Sequence, residues 1–135
     1  MATQLLAWLS GVLFGKGGHG LEELGVIELK TVAELDEALA RHAEQPFFIF
    51  KHSTTCPISA SAYRRVSDYL AQAGEAAPPF YLVKVIESRP LSNEIAARYA
   101  VVHQSPQLLL IRDQRSPWNT SHGAITETAI RQALT

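Results

Sequence analysis

The stretch FFIFKHSTTCPIS, residues 47–59, joins an apolar run to the only cysteine of the 135-residue chain. The run Phe47–Phe50 predicts a strand that is buried on both of its faces. Residues from Cys56 to about Ala73 have the spacing of a helix, which Gly74 is expected to end. Cys56 therefore lies where a buried strand passes into a helix.

This placement favours a reactive sulfur. Pro57 suits the first position inside the helix, because its missing N–H would have no partner there. The free N–H groups of Ile58 and Ser59 would then point toward the sulfur of Cys56 and favour the thiolate, which is the nucleophilic form. The alternative is that Cys56 is a small buried residue with no chemical role.

Ser59 stands where a C-x-x-C dithiol motif would have its second cysteine. Its hydroxyl could donate a hydrogen bond to the thiolate, but it cannot resolve a mixed disulfide. The chemistry open to the chain is then a one-thiol cycle, in which Cys56 attacks a disulfide and an external thiol releases the half that it keeps. The alternative for Ser59 is an ordinary residue in the first turn of a helix.

A second informative segment contains Ser105 and Pro106. Pro106 directly precedes the apolar strand QLLLI, so the Ser105–Pro106 bond is a candidate for the cis form. The backbone of that loop could bind an extended disulfide partner. We also expect Thr55 and His52, which flank the cysteine loop, to contact substrate.

Two other histidines, His103 and His122, lie near these segments. Each could contact the site or have only a structural role. Lys51 is predicted to point to solvent at the end of its strand. The strand FFIF contains no buried acid that could relay a proton.

Apolar periodicity and capping signals give the element order β-α-β-α-β-α-β-β-α. Parallel crossovers in the first half and a final hairpin predict an α/β fold, with a central mixed sheet flanked by helices. Capping residues are expected at Thr31 (with Glu34), Ser92 and Thr126. The expected strands are 26–29, 47–50, 80–86, 108–112 and about 118–121, with a turn at 113–117, and the expected helices are 32–42, 56–73, 93–99 and 127–134.

The composition is that of a globular protein, with 47% hydrophobic and 19% charged residues and a net charge of −1. This balance predicts no nucleic-acid partner, and the single cysteine predicts neither an internal disulfide nor a zinc site. A reducing compartment, the cytoplasm, is the expected location.

We expect two segments: residues 1–20, a short apolar helix with a glycine-rich joint, and residues 21–135, the main domain. The apolar part of the first segment is too short to be an integral membrane span. It is expected to dock on the domain; the alternative is a homodimer or surface contact through residues 1–14.

Four segments resemble the monothiol bacilliredoxins, over about residues 26–134: KHSTTCPIS at 51–59, RPLSNEIA at 89–96, VVHQSPQLLLI at 101–111 and NTSHGAIT at 119–126. The resemblance implies a thioredoxin-like fold and the removal of bacillithiol from S-bacillithiolated proteins. It also implies that Cys56 attacks, Ser59 is non-resolving and Pro106 is the cis-proline. The implied partners are S-thiolated client proteins and a low-molecular-weight thiol, with bacillithiol as co-substrate and no bound cofactor.

Other functions remain open at this point. One is a non-catalytic thioredoxin-fold adaptor, or a thiol-based redox sensor, in which Cys56 does not turn over. A peroxiredoxin-like peroxidase is a further reading, because Ser53 precedes Cys56 by three residues; that pattern expects a proline where this chain has Ile49. An iron–sulfur cluster shared by two subunits would need ligands from outside the chain.

Overall fold

A computed structural model describes residues 20–135, which form a five-stranded mixed sheet with helices on both faces. This confirms the α/β class, with a central mixed sheet flanked by helices. The predicted helix and joint in the N-terminal segment lie outside the described residues, apart from Gly20, and stay a prediction. No helix among residues 20–135 is long and apolar enough to cross a membrane. The elements are β1 (Ile27–Glu28), α1 (Val32–Arg41), β2 (Phe47–His52), α2 (Pro57–Ala73), β3 (Phe80–Lys84), α3 (Arg89–Tyr99), β4 (Gln107–Arg112), β5 (Arg115–Ser121) and α4 (Glu127–Ala133), with short 3-10 turns at Leu21–Leu24, Gly74–Ala76 and His122–Ala124.

The strand order is β1-β3-β2-β4-β5, so β2 lies in the centre of the sheet. It runs parallel to β3 and antiparallel to β4; Phe50 pairs with Leu82 on one side and with Leu108 on the other. Because β2 and β4 are antiparallel, the residues that follow β2 and those that precede β4 lie at the same end of the strands. The cysteine loop and the Ser105–Pro106 segment are therefore neighbours.

Alternate residues of β2 supply two separate cores. Phe48 and Phe50 belong to the core that α2 and α4 cover, whereas Phe47 and Ile49 belong to the core that α1 and α3 cover. All four side chains are buried. This confirms that the apolar run is a strand buried on both faces, and it explains why the run does not alternate between apolar and polar residues.

Two predicted helix starts are confirmed. Thr31 and Glu34 form a reciprocal capping box at α1, and the Thr126 hydroxyl accepts from the N–H of Ala129 at α4. The predicted start of α3 at Ser92 is wrong, because this helix begins at Arg89 with Ser88 as the N-cap. Pro90 is tolerated in the first turn, where its missing N–H has no helical partner.

The final hairpin also differs from the prediction. Its turn contains only Asp113 and Gln114, both with positive φ (52° and 64°), so β5 begins at Arg115 rather than near Trp118. Pro117, which the predicted turn at 113–117 included, lies inside β5. An edge strand accepts proline because the missing N–H can face away from the sheet. Strands β1 and β3 are shorter than predicted, and Ile86, beyond β3, is half-exposed.

We predict that Phe48→Ala lowers the free energy of unfolding by about 3–5 kcal/mol, since it empties a site in the centre of a core. Phe48 is fully buried and its ring lies 4.7 Å from that of Phe80 and 6.1 Å from that of Trp118. Urea unfolding followed by circular dichroism measures the change. Val102→Ala is the control, because Val102 is 80% exposed. Equal losses in the two variants would contradict the packing described here.

Candidate active site

Cys56 is the N-cap residue of α2, and its backbone is extended (φ −107°, ψ 123°). Pro57 follows in the first turn, as predicted, and the first helical hydrogen bond runs from the N–H of Ala60 to the Cys56 carbonyl (3.0 Å). The thiol is free and partly exposed. Its sulfur accepts no capping hydrogen bond, so the expected contacts from the N–H groups of Ile58 and Ser59 are not formed. A thiol sulfur is a weak acceptor, and only the thiolate gains strongly from such donors.

Ser59 is fully buried, and its hydroxyl has partners other than Cys56. The oxygen accepts from the N–H of Ser53 (3.0 Å) and lies 2.7 Å from Nδ1 of His52. The expectation that Ser59 donates to the sulfur is therefore not met in this structure. Instead, Ser59 joins the first turn of α2 to the end of β2, and so fixes the loop that carries Cys56.

His52 is brought to this cluster by its place at the end of β2. Burial lowers the pKa of its imidazole, the positive charge of Lys84 lowers it further, and the carboxylate of Glu87 partly opposes both effects. The ring packs 5.0 Å from the ring of Tyr63. At neutral pH His52 is thus a neutral imidazole that hydrogen-bonds Ser59, rather than an imidazolium beside the thiolate.

The loop between β2 and α2 presents Thr55 to solvent beside Cys56. The Thr55 hydroxyl lies 3.3 Å from that of Ser53, and Thr54 donates to the carboxylate of Glu87 (3.3 Å). The loop is therefore held to the segment after β3 as well as to α2. The substrate contact expected of Thr55 stays a prediction.

The Ser105–Pro106 peptide bond is cis, as predicted. Pro106 is buried, and its carbonyl accepts from the backbone N–H of His122 (3.0 Å). The hydroxyl oxygen of Ser105 is buried without a hydrogen-bond partner among residues 20–135. A buried hydroxyl normally has a partner, so Ser105 retains hydrogen-bonding capacity in this loop.

Lys51 overturns the prediction that it points to solvent. Its side chain is 0% exposed, and its ammonium donates to the Ser92 carbonyl (3.0 Å) and to Nδ1 of His103 (3.1 Å). Burial lowers its pKa to about 8. The prediction failed because β2 continues through His52, so that Lys51 still faces the core under α3.

Gln107 was not predicted to be a site residue. It pairs with Lys51 across the sheet and is buried. Its amide donates to the carbonyl of Val102 (3.0 Å) and accepts from the N–H of Gln104 (3.4 Å). This brace holds the backbone on both sides of His103. Of the three histidines in question, His52 and His103 contact the site framework through their rings, whereas His122 contacts it through its backbone.

Among residues 20–135, no group of three histidine, cysteine, aspartate or glutamate side chains could hold a metal ion. The functional atoms at this end of the strands are one sulfur, several hydroxyls and the backbone of a cis-proline loop. A cysteine in this position places the chain in the class of thioredoxin-fold thiol–disulfide oxidoreductases.

Comparison with known proteins narrows the class. The model of the family described as monothiol bacilliredoxin BrxC matches residues 27–130, and the chain belongs to that family. A solved structure described as an oxidoreductase with a thioredoxin fold is 31% identical, with a TM-score of 0.73, over 82% of this chain and 94% of that one.

Two thioredoxins share the fold at lower identity. The thioredoxin of Fasciola hepatica is 20% identical, with a TM-score of 0.63, over 81% of this chain and 96% of its own. Mitochondrial thioredoxin 3 of Saccharomyces cerevisiae is 15% identical, with a TM-score of 0.64, over 81% and 92%. Both confirm the thioredoxin fold.

We predict that Ser59→Ala lowers the free energy of unfolding by about 1–3 kcal/mol, because it leaves the buried N–H of Ser53 without its acceptor. Urea unfolding at pH 7 measures the loss. Ser61→Ala is the matched control, since the Ser61 hydroxyl, two positions further along α2, has no hydrogen bond to residues 20–135. No difference between the two variants would show that the Ser59 contacts do not hold the loop.

The lowered pKa of Lys51 predicts a pH dependence of stability. Between about pH 8 and the ordinary value of 10.5, the unfolded chain binds a proton that the folded chain has lost. The contribution of Lys51 to the free energy of unfolding therefore rises with pH in that window. We expect the wild type to gain free energy of unfolding relative to Lys51→Met as pH rises from about 7.5 to 10. A difference that stays constant would contradict the burial of the ammonium.

Proposed function

We propose that the chain removes bacillithiol from S-bacillithiolated proteins by a one-thiol cycle. The thiolate of Cys56 attacks the bacillithiol sulfur of the mixed disulfide. The bond between client and bacillithiol breaks, the client leaves as a thiolate that takes up a proton, and a disulfide forms between Cys56 and bacillithiol. A second low-molecular-weight thiol attacks the bacillithiol sulfur, is oxidised to a disulfide with it, and regenerates Cys56.

One observation carries this proposal: a single, partly exposed cysteine occupies the N-cap position of α2, and the residue three positions on is Ser59 rather than a second cysteine. Such a site can accept a thiol but cannot expel it internally. Membership of the monothiol bacilliredoxin family supports bacillithiol as the thiol that is transferred. In this proposal bacillithiol is a co-substrate, and the cycle requires no bound cofactor.

The neighbouring residues have distinct roles in the cycle. Pro57 fixes the first turn of α2, so that the helix N-terminus faces the reacting sulfur. The backbone of Ser105, next to Pro106, offers an N–H and a carbonyl to the extended chain of the client, and Thr55 lines the approach to the sulfur. His52 acts through Ser59, which holds the cysteine loop. We further propose that the protein works in a reducing compartment, where a lone cysteine stays reduced.

We predict that Cys56→Ser abolishes release of bacillithiol from an S-bacillithiolated protein, because it removes the only nucleophilic sulfur. Release is measured as free bacillithiol and as the mass of the client over time. Circular dichroism shows whether the variant is folded. Unchanged turnover in a folded variant contradicts the proposal.

The wild type itself separates the competing functions. Binding of a thiolated client without release of bacillithiol would favour the adaptor or sensor. Rapid consumption of hydrogen peroxide without release would favour a peroxidase.

We predict that Ser59→Cys forms an internal disulfide with Cys56 on oxidation, since residues at these positions occupy the first turn of one helix. Non-reducing mass spectrometry detects the loss of two hydrogens within one chain. Ser61→Cys is the matched control and should give only intermolecular disulfides, because its side chain points away from Cys56 around the helix. Identical products from both variants would show that the dithiol-like geometry is absent.

A further inference from the structure

His103 is held with one ring nitrogen turned toward the protein interior. Its Nδ1 lies 3.1 Å from the ammonium of Lys51 and 3.5 Å from the hydroxyl of Ser92. Yet its side chain as a whole is exposed. The exposed ring is thus held from beneath by a fully buried lysine.

The contact determines which nitrogen of His103 carries the proton. A lysine ammonium can only donate, so Nδ1 must accept, and the single proton of the neutral ring lies on Nε2. Burial and the positive charges of Lys51 and Arg89 lower the pKa of His103, which keeps the ring neutral at pH 7. His103 therefore presents an Nε2–H donor that has no acceptor among residues 20–135.

The surroundings of this donor are electropositive. No carboxylate of residues 20–135 lies within ion-pair distance of Lys51, although its ammonium is fully buried. Arg89, at the start of α3, is exposed, and its guanidinium forms no hydrogen bond or ion pair within the same residues. A buried cation without a counter-charge is unfavourable, and an anion bound nearby would relieve that cost.

The donor also lies on the segment that leads to the cis-proline. His103 precedes Ser105–Pro106 by two residues, and the Gln107 amide braces the backbone on either side of it. Since Lys51 and Gln107 pair across β2 and β4, this segment lies at the same end of the strands as Cys56. A substrate whose disulfide reaches the sulfur of Cys56 passes this segment.

We propose that the Nε2–H of His103 and the guanidinium of Arg89 form a subsite for a carboxylate of the mixed-disulfide substrate, with Lys51 as the positioning residue that fixes the His103 tautomer. The inference rests on the proposed exchange at Cys56, but not on the identity of the thiol as bacillithiol. The carboxylate belongs either to the transferred thiol or to the client chain next to its cysteine.

The test compares mixed disulfides that differ in charge: mercaptosuccinate adds two carboxylates, 2-mercaptoethanol adds none and cysteamine adds an ammonium. A neutral cysteine peptide is linked to mercaptosuccinate, 2-mercaptoethanol or cysteamine, and a second peptide with glutamate beside its cysteine is linked to 2-mercaptoethanol. We expect kcat/KM to be highest for a carboxylate-bearing substrate and lowest for cysteamine. Preference for mercaptosuccinate locates the carboxylate on the thiol, whereas preference for the glutamate peptide locates it on the client.

His103→Ala and Arg89→Gln should each reduce the ratio of kcat/KM for the preferred anionic substrate to that for the neutral substrate by about tenfold, the effect of losing one charge-assisted hydrogen bond. Arg112→Gln is the matched control, because this exposed arginine ends β4 at the opposite end from the cis-proline. Equal ratios in the wild type and both site variants would overturn the subsite.

Nitrogen-15 NMR of the imidazole tests the role of Lys51 independently of turnover. The wild type should show the Nε2–H tautomer of His103, and Lys51→Met should raise the pKa of His103 and mix the tautomers. A wild-type ring protonated on Nδ1 would overturn the assignment.

A third measurement separates failure of the subsite from failure of the proposed function. If no mixed disulfide is turned over, the exchange at Cys56 fails. Titration of Cys56→Ser with mercaptosuccinate, and with 2-mercaptoethanol as the neutral control, then decides the subsite. The subsite is supported if mercaptosuccinate shifts the His103 Nε2 signal and 2-mercaptoethanol does not. It is overturned if mercaptosuccinate causes no shift.

Discussion

The pairing of β2 with β3 on one side and β4 on the other is the constraint on which the rest of this molecule depends. Five residue pairs join β2 to each neighbour, so its register is fixed from both sides. A slip of one residue would turn every side chain to the other face. It would exchange the two cores and take His52 away from Ser59. The position of the cysteine loop is therefore set by the centre of the sheet rather than by the loop itself.

The same alternation divides the site between the two faces of the sheet. His52 reaches Ser59 on the face that α2 covers, and the adjacent Lys51 reaches Ser92 and His103 on the face that α3 covers. Two neighbouring residues thus support the two segments that a disulfide substrate must meet. One is the loop that carries Cys56, and the other is the segment before the cis-proline. Burying the polar side chains of Lys51 and His52 costs free energy. Their hydrogen bonds offset part of this cost and hold the two segments in place.

Much of the fold could be predicted because its signals are local. The cysteine–proline junction, the Thr31–Glu34 capping box and the cis bond before Pro106 each depend on residues within four positions of one another. What could not be predicted depends on partners that only the folded chain brings together. Lys51 donates a hydrogen bond to a carbonyl 41 residues away, and the Ser59 hydroxyl contacts His52 and Ser53 instead of the sulfur of Cys56. The predicted start of α3 and the predicted start of β5 were also wrong: α3 includes Pro90 in its first turn and β5 includes Pro117, because a helix start and an edge strand both accept proline.

The central claim is that Cys56 accepts a thiol and cannot release it alone. The most direct measurement is the intact mass of the reduced protein after exposure to oxidised bacillithiol, followed by addition of a second thiol. This account predicts one bacillithiol adduct, located on Cys56, that persists after the oxidant is removed and disappears when the second thiol is added. An unmodified protein, or an adduct lost without any added thiol, would contradict it.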